Sequence, residues 1–207
     1  MNLTDGPHPI YLASRSPRRQ ELLTQLGIPF EEIKLRVAPG RHRDVVEEAL
    51  DREPALHYVE RIARTKAQVG WKRMVQRNLP QAPVLAADTT VALGDRIFGK
   101  PESREDAAKM LAALSGKRHE VLTAVALAQG EWLESALSVS EVEFKALADD
   151  EIRQYVATGE CDDKAGAYAI QGRAARFVVE LRGSYSGVMG LPLYETGRLL
   201  DKLPQRR

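Results

Sequence analysis

The chain has 207 residues, of which 43% are hydrophobic and 29% are charged, and its formal net charge is +1. This composition is ordinary for a globular protein with a sizeable core, and the balanced charge disfavours a nucleic-acid-binding protein. The single cysteine, Cys161, excludes an intrachain disulfide and favours a reducing compartment. No apolar run has the length of a signal peptide or a membrane span, so we expect a cytoplasmic protein with no membrane partner.

The first half of the chain alternates between strands and helices. PIYLAS predicts a strand, and a helix follows from Pro17 to Leu26 with Ser16 at its N-cap. IPFEEIKL is compatible with a second strand, and apolar spacing predicts a long helix from about Pro54 to Arg77. APVLAADTTVAL predicts a buried strand, and GDRIFGKP predicts a hairpin-like return.

The second half continues this alternation. Ser103 caps a predicted helix that ends at Gly116, and two long strands follow in HEVLTAVALAQG and EWLESALSVSEVEFKAL. DDEIRQYVATG predicts a helix, GAYAIQG and ARFVVELRGSYSGV predict strands, and Pro192 begins a closing helix. The pattern predicts an α/β protein with a mixed sheet. Because no linker interrupts it, we expect residues 1–207 to form one domain, in which any second lobe is interwoven with the first.

The first predicted helix begins with an unusual charge pattern. Arg18 and Arg19 lie in its first turn, where the exposed N–H groups disfavour each cation by about 0.3–1 kcal/mol. A bound phosphate would reverse this penalty, and the hydroxyls of Ser14 and Ser16 would add hydrogen bonds. Alternatively, both arginines are exposed or pair with Glu21 or a distant carboxylate. The sequence pattern leaves both interpretations open.

Asp88 is the second candidate, because it ends the apolar run VLAA. We expect it at the C-terminal edge of the sheet, where α/β proteins bind ligands. Followed by Thr89 and Thr90, its carboxylate suits a magnesium ligand or a base that activates water. The alternative is an aspartate that caps the next turn.

Two lysines and a glutamine complete the candidates. Lys66 lies on the apolar stripe of the long helix, from which it either extends to solvent or reaches a buried anion. Lys100 precedes a proline at a turn, where exposure to solvent is expected. Gln171 ends a predicted strand, and its amide can donate to and accept from the edge of a nucleobase. The plainer alternatives for Gln171 are backbone pairing and solvent contact.

Several common kinds of site find no support. The histidines lack zinc-ligand spacing, no motif marks Cys161 as a nucleophile, and neither GxxxxGK[ST] nor GxGxxG occurs. RGSYSGVMGLP is rich in small residues, so it predicts either a second backbone cradle for an anion or a plain turn.

Six ordered segments resemble the Maf family of nucleoside triphosphate pyrophosphatases: LASRSPRRQELL, AADTTV, GKP, LSGKRHEVLTAVAL, DKAGAYAIQG and GSYSGVMGLPLYET. They span about Tyr11 to Leu200. The resemblance implies an elongated mixed sheet flanked by helices, with two lobes and a cleft between them, similar to inosine triphosphate pyrophosphatases. It also implies hydrolysis of a nucleoside triphosphate to the monophosphate and pyrophosphate, with Mg²⁺ or Mn²⁺ as cofactor.

The resemblance assigns roles to individual residues. It implies that Asp88 is the catalytic proton acceptor and a metal ligand. The positions that match the family's phosphate-binding residues are Ser14, Arg18, Lys66 and Lys100, and those that match its base-specificity residues are Arg19, Thr89 and Gln171. This combination resembles the branch that acts on dTTP and UTP. The branch that prefers 7-methyl-GTP has a tryptophan where this chain has Arg18.

One family feature is missing from its expected place. Members carry acidic residues in the loop after the second strand, and one of them is thought to hold metal, but the nearest alignment puts Pro39 there. Either another acid substitutes or metal affinity is lower. The acids near enough to substitute are Glu31, Glu32, Asp44 and Glu47.

Two other function classes remain as alternatives. The family is named for inhibition of septum formation, so the chain could act as a nucleotide-sensing regulator of cell division with little turnover; release of pyrophosphate separates this from an enzyme. A single-strand nucleic-acid binder is disfavoured by the balanced charge and the 6% aromatic content. Dimers are common in the family, which makes a homodimer a further expectation.

Overall fold

The computed structural model describes residues 9–36 and 44–203. Within them a mixed seven-stranded sheet has the order β2-β1-β3-β5-β6-β7, and β4 also pairs with β3. The strands are β1 Ile10–Leu12, β2 Phe30–Glu32, β3 Val84–Leu93, β4 Arg96–Phe98, β5 Arg118–Gln129, β6 Trp132–Phe144 and β7 Val178–Arg182. The helices are α1 Pro17–Gln25, α2 Ala55–Gln76, α3 Arg104–Leu114, α4 Asp149–Ala157, α5 Tyr185–Met189 and α6 Leu193–Leu200. The predicted mixed sheet flanked by helices is confirmed.

The helices cover the sheet in three apolar clusters. α2 packs on one face, and Gly70 lets it approach closely, since a Cβ there would lie 2.7 Å from the Val84 side chain. α1 and α6 cover the opposite face, where Leu22 and Leu199 are buried. α3 and α4 pack at the far end of the sheet around Phe144. No helix in the described residues is both long and apolar enough to span a membrane.

A gap along one edge of β3 determines where the cleft forms. β5 pairs with β3 from Val84 to Ala92. On the opposite edge, β1 pairs only with Val84 and Leu85, and β4 pairs only from Val91 onward. No described strand therefore covers this edge at residues 86–90. At this gap Asp88 and Thr89, whose side chains point to opposite faces of β3, line the cleft.

Most predicted elements appear within a few residues of their expected bounds. The long helix is Ala55–Gln76, and the two long strands are β5 and β6. Ser103 caps α3 as predicted, because its side chain accepts a hydrogen bond from the backbone N–H of Asp106 at 3.1 Å. Ser16 occupies the N-cap position of α1 but makes no side-chain capping bond. The backbone N–H of Ser16 instead donates to Ser14 Oγ at 3.2 Å.

The strand predicted in GAYAIQG is wrong. Residues 165–167 form a 3₁₀ turn in which Gly166 and Ala167 have φ of 67° and 61°, and this left-handed backbone prevents an extended strand. Gln171 therefore lies in a turn rather than at a strand end. The predicted strand in ARFVVELRGSYSGV is β7 alone, which ends at Arg182 before α5 begins.

Candidate active site

The gap in the sheet opens into a cleft that collects all eight residues to which the family resemblance assigned a role. Its lining includes Ser14, Arg18, Arg19, Lys66, Asp88, Thr89, Lys100 and Gln171. The N-terminus of α1, the middle of β3 and one face of α2 form one side of the cleft. The segment from Asp163 to Gln171 contributes the other side.

The sequence predicted Asp88 at the C-terminal edge of the sheet, but Asp88 lies in the middle of its strand. It is the fifth of ten residues in β3 and pairs with Ala124 of β5. The apolar run ends at Asp88 because the neighbouring β1 ends, not because β3 does. The gap exposes the carboxylate to the cleft, while the strand on both sides stays buried. Asp88 therefore does not cap a turn.

Lys66 joins two carboxylates at the centre of the cleft. Its Nζ lies 2.7 Å from Asp88 Oδ1 and 2.6 Å from Glu47 Oε1, and its side chain is 12% exposed. Of the two sequence interpretations, contact with a buried anion is the one observed. Lys100 is more exposed, as predicted, and its Nζ lies 3.9 Å from Glu47 Oε2. The two lysines thus share Glu47 as an ion-pair partner.

Among the four acids that could replace the missing one, only Glu47 lines the cleft. Glu31 and Glu32 are exposed on β2, and Asp44 pairs with Arg73 of α2. Pro39, the position that matches the family's acid, lies outside the described residues. Glu47 is therefore the acid that the fold brings to Asp88.

The segment that carries Glu47 is tied to α2. The guanidinium of Arg61 donates to Glu53 at 2.6 and 2.7 Å, and the hydroxyl of Tyr58 donates to the backbone carbonyl of Glu47 at 3.3 Å. Burial alone would raise the pKa of Glu47, but the charge and hydrogen bond of Lys66, with further cations nearby, outweigh it and lower that pKa. The Glu47 carboxylate is consequently ionised at neutral pH.

The two arginines at the start of α1 have different surroundings. Arg19 donates from Nε to Gly190 O at 2.7 Å, from one terminal nitrogen to Ser14 Oγ at 3.3 Å and from the other to Thr89 Oγ1 at 3.2 Å. Arg18 has a buried Nε with no hydrogen-bond partner among the described residues. Burial lowers the pKa of both side chains, although a guanidinium remains charged at neutral pH. The cleft therefore presents two partly desolvated cations. The Nε of Arg18 lacks a hydrogen-bond partner among the described residues, whereas Arg19 donates three hydrogen bonds.

Gln171 is exposed at the opposite side of the cleft and makes no hydrogen bond to another described residue. Its position is set through the backbone on either side of it. The hydroxyl of Tyr155 accepts the N–H of Ala169 at 3.2 Å and donates to Glu160 Oε1 at 3.0 Å, while Glu160 Oε2 accepts the N–H of Arg173 at 3.0 Å. Gly172 allows this approach, because a Cβ there would lie 2.3 Å from Glu160 Oε1. We call residues 169–173 the Gln171 loop.

The predicted second cradle in RGSYSGVMGLP is not formed by free N–H groups. The N–H of Gly187 donates to Ser184 Oγ at 3.0 Å, and that of Gly190 donates to backbone carbonyls of α5. The segment instead turns the carbonyl oxygens of Gly187 and Gly190 toward the cleft wall, where they accept hydrogen bonds from Thr123 and Arg19. It therefore supports the wall, and the N–H groups of Gly187 and Gly190 are not available to an anion.

The donor set at the centre of the cleft fits a small divalent cation. Within the described ranges, no three or more His, Cys, Asp or Glu side chains cluster as a complete metal site. Mg²⁺, however, usually takes one or two protein carboxylates and completes its coordination with water and substrate phosphates. Asp88 and Glu47, both bonded to the same ammonium, provide such a pair.

Comparison with known proteins gives a consistent result over almost the whole chain. The family model described as "Maf-like protein" matches residues 9–203. A protein named dTTP/UTP pyrophosphatase from Aromatoleum aromaticum is 57% identical over 93% of this chain and 94% of its own length. Another of that name from Nitrosospira multiformis is 57% identical over 93% of both chains. Among solved structures, the Staphylococcus aureus Ham1 protein matches 69% of this chain and 73% of its own at 17% identity, with a TM-score of 0.42, a likeness too weak to inform function.

Proposed function

The chain belongs to the Maf-like protein family, and we propose that it is an enzyme that hydrolyses dTTP and UTP to the monophosphate and pyrophosphate. Relatives at 57% identity that carry this activity in their names support the proposal. The observation that carries it is the convergence of Asp88 and Glu47 on Lys66 Nζ, beside the N-terminus of α1. Carboxylates, ammonium and guanidinium groups in one cleft are what a metal–triphosphate complex requires.

We propose that the triphosphate lies across the N-terminus of α1. The free Nε of Arg18 and the ammonium groups of Lys66 and Lys100 would balance its negative charge, and the hydroxyl of Ser14 lies beside them. Such positioning and charge balance provide most of the rate enhancement in phosphoryl chemistry. No covalent intermediate with the protein is needed.

Asp88 would accept the proton of the attacking water. Its Oδ1 is held by Lys66, while Oδ2 has no hydrogen bond to any described residue and remains available to water. A carboxylate oriented in this way can direct a water molecule at the α-phosphorus and take its proton as the new P–O bond forms. Pyrophosphate then leaves with the electrons of the broken P–O bond.

Asp88 and Glu47 are the residues that would hold a Mg²⁺ or Mn²⁺ ion. When bound, the cation supplies a Lewis acid that neutralises charge on the phosphate oxygens. Lys66 keeps the two carboxylates together despite their mutual repulsion, so both stay oriented toward the cleft.

Base recognition is proposed for Gln171. Its amide carries both a donor and an acceptor, which match the edge that thymine and uracil share, and no described residue occupies either group. The other two specificity candidates, Arg19 and Thr89, are bonded to each other and lie in the opposite wall.

Pyrophosphate release across a panel of canonical and modified nucleoside triphosphates tests the activity. We expect dTTP and UTP to be hydrolysed fastest. Asp88→Asn should lower kcat by about a thousandfold while nucleotide binding is largely kept, because the amide cannot accept the proton. Asp95→Asn, an exposed aspartate in the turn after β3, is the matched control and should behave as wild type. Fastest turnover of purine nucleotides, or an active Asp88→Asn enzyme, would contradict the proposal.

The remaining proposals concern the setting of the enzyme. We propose that it acts in the cytoplasm, with the nucleotide and a divalent cation as ligands and with no nucleic-acid or membrane partner. The balanced net charge and the single cysteine support this. A homodimer is proposed from the family resemblance alone. No observation favours the nucleotide-sensing regulator over the enzyme.

A further inference from the structure

The wall that holds Arg19 contains a buried threonine that the sequence does not single out. Thr123 of β5 is 0% exposed and pairs across the sheet with Thr89 of β3. Its Oγ1 lies 2.7 Å from Gly187 O and 3.0 Å from Thr89 Oγ1. Thr89 Oγ1 in turn lies 3.2 Å from a terminal nitrogen of Arg19. These contacts form a continuous chain of hydrogen bonds from α5 to the cleft.

The direction of every hydrogen bond in this chain is determined. A carbonyl oxygen can only accept, so the single hydroxyl proton of Thr123 points to Gly187 O. The proton between the two threonines must therefore come from Thr89. Thr89 then has only acceptor capacity left, and the guanidinium of Arg19 uses it.

We propose that Thr123 is a positioning residue, which orients the Thr89 hydroxyl so that Thr89 in turn holds the guanidinium of Arg19 in the cleft. Thr89 consequently has no proton to donate to a base or sugar, and its contribution to specificity acts through Arg19. Three of the five N–H groups of Arg19 are bonded in this wall, and its two remaining N–H groups have no partner among the described residues. Those two groups are the ones available to the nucleotide.

Thr123→Val tests the proposal, because valine keeps the shape of threonine but loses the hydroxyl. The inference rests on the proposed function, since its main readout is hydrolysis of dTTP in the presence of Mg²⁺. We expect KM for dTTP to rise about tenfold with kcat nearly unchanged, since a displaced guanidinium weakens binding in ground and transition state alike. Thr123→Ser, which retains the hydroxyl, should recover most of the wild-type KM.

The neighbouring Thr90 provides a matched control. Thr90 is 1% exposed in the same sheet, and its hydroxyl has no hydrogen-bond partner among the described residues. Thr90→Val should therefore leave KM unchanged. A variant that only reduces the folded fraction would lower apparent kcat and leave KM as it was, which separates a structural defect from a positioning defect.

Coupling to Arg19 completes the test. In an Arg19→Lys background, Thr123→Val should change KM less than about twofold, because the guanidinium that Thr123 positions is already absent. If Thr123→Val does not fold, Thr89→Val removes the next hydroxyl in the same series of hydrogen bonds and should raise KM by a similar factor. A wild-type KM in a folded Thr123→Val or Thr89→Val enzyme, or an undiminished effect in the Arg19→Lys background, would overturn the proposal.

A second readout distinguishes this inference from the proposed function. Binding of the non-hydrolysable α,β-methylene analogue of dTTP is measured by calorimetry with Mg²⁺. Weaker binding by Thr123→Val than by Thr90→Val supports the positioning role even if the wild-type enzyme proves not to hydrolyse dTTP. Equal binding by the two variants overturns it, whatever the activity assay gives.

Discussion

The two sides of the cleft are held in place by different kinds of bond. On one side, which we call the Arg19 wall, side-chain hydrogen bonds connect Arg19, Thr89 and Thr123 to the carbonyls of Gly187 and Gly190. On the other side, the hydrogen bonds from Tyr155 and Glu160 reach only the backbone of the Gln171 loop, and the side chain of Ile170 packs in the apolar core. The first arrangement fixes a charged side chain that enters the cleft. The second fixes the loop around Gln171 and leaves the exposed amide of Gln171 free to adapt to a ligand.

Among the changes that test this contrast, the largest effect is expected when the Arg19 wall loses its guanidinium. Arg19→Lys keeps the positive charge but cannot bond Gly190 O, Ser14 Oγ and Thr89 Oγ1 together. We expect kcat/KM for dTTP to fall about thirtyfold, since charge-assisted hydrogen bonds in the partly buried wall are lost. Steady-state kinetics on dTTP and UTP measure the change.

Arg77→Lys is the control for this prediction. Arg77 also donates to a backbone carbonyl, that of Lys34 at 2.9 Å, but at the exposed end of α2. It should retain wild-type kinetics. If Arg19→Lys is as active as Arg77→Lys, charge alone is sufficient, and the contrast between the two sides of the cleft loses its functional meaning.

A smaller effect is expected from the Gln171 loop. Tyr155→Phe removes the hydroxyl that joins Ala169 N to Glu160, so the loop should hold Gln171 less accurately. We expect the ratio of kcat/KM for dTTP to that for dCTP to fall about fivefold, a loss of about 1 kcal/mol, with little change in kcat for dTTP.

The exposed Tyr185, changed to phenylalanine, is the control for loss of a hydroxyl. In a Gln171→Ala background, Tyr155→Phe should not reduce base discrimination further. An unchanged ratio in the single variant would mean that the Gln171 loop does not depend on Tyr155. An unchanged ratio in Gln171→Ala would instead remove Gln171 from base recognition.

The smallest effect concerns pH. The hydrogen bonds of the Arg19 wall involve no carboxylate, whereas the segment that carries Glu47 is anchored by the ion pair between Glu53 and Arg61. The hydrogen bond from Arg61 lowers the pKa of Glu53 to about 2, from an ordinary 4.5. Because the folded-state pKa is depressed, this stabilisation is fully present above about pH 4.5 and is lost as the pH falls toward 2.

Glu53→Gln should therefore lower Tm at pH 7 by about 3 °C, corresponding to roughly 1 kcal/mol. The difference from wild type should shrink between pH 4.5 and 2. Thermal unfolding followed by circular dichroism at several pH values measures it. A difference that stays constant over this range would show that the anchoring is not electrostatic.

Local patterns in the sequence predicted the elements but not how they meet. The spacing of apolar residues located α2 to within one residue at each end, and Ser103 capped α3 as expected. The position of Asp88 was wrong because the end of an apolar run does not tell which strand has ended. The strand in GAYAIQG was wrong because Ala167, a residue without turn preference, adopts a left-handed backbone under tertiary constraint.

The candidate site was predicted in composition more than in geometry. Motif matching selected residues that the fold brings into one cleft. It could not choose Glu47 among four acids, because a loop outside regular structure has no periodicity to reveal its path. It also missed Thr123, since a threonine within VLTAVALA is ordinary in a strand, and only the register of β3 against β5 places it opposite Thr89.

The continuous pairing of β3 with β5 has a consequence for how the protein would fail. On both sides of Asp88, the backbone amides of β3 that point to β5 lie inside a nine-pair antiparallel ladder. Such amides exchange with deuterium only when a large cooperative unit opens, in contrast to those of fraying termini. The acidic centre would therefore survive small fluctuations, and heat or denaturant would abolish turnover together with the main unfolding transition rather than before it.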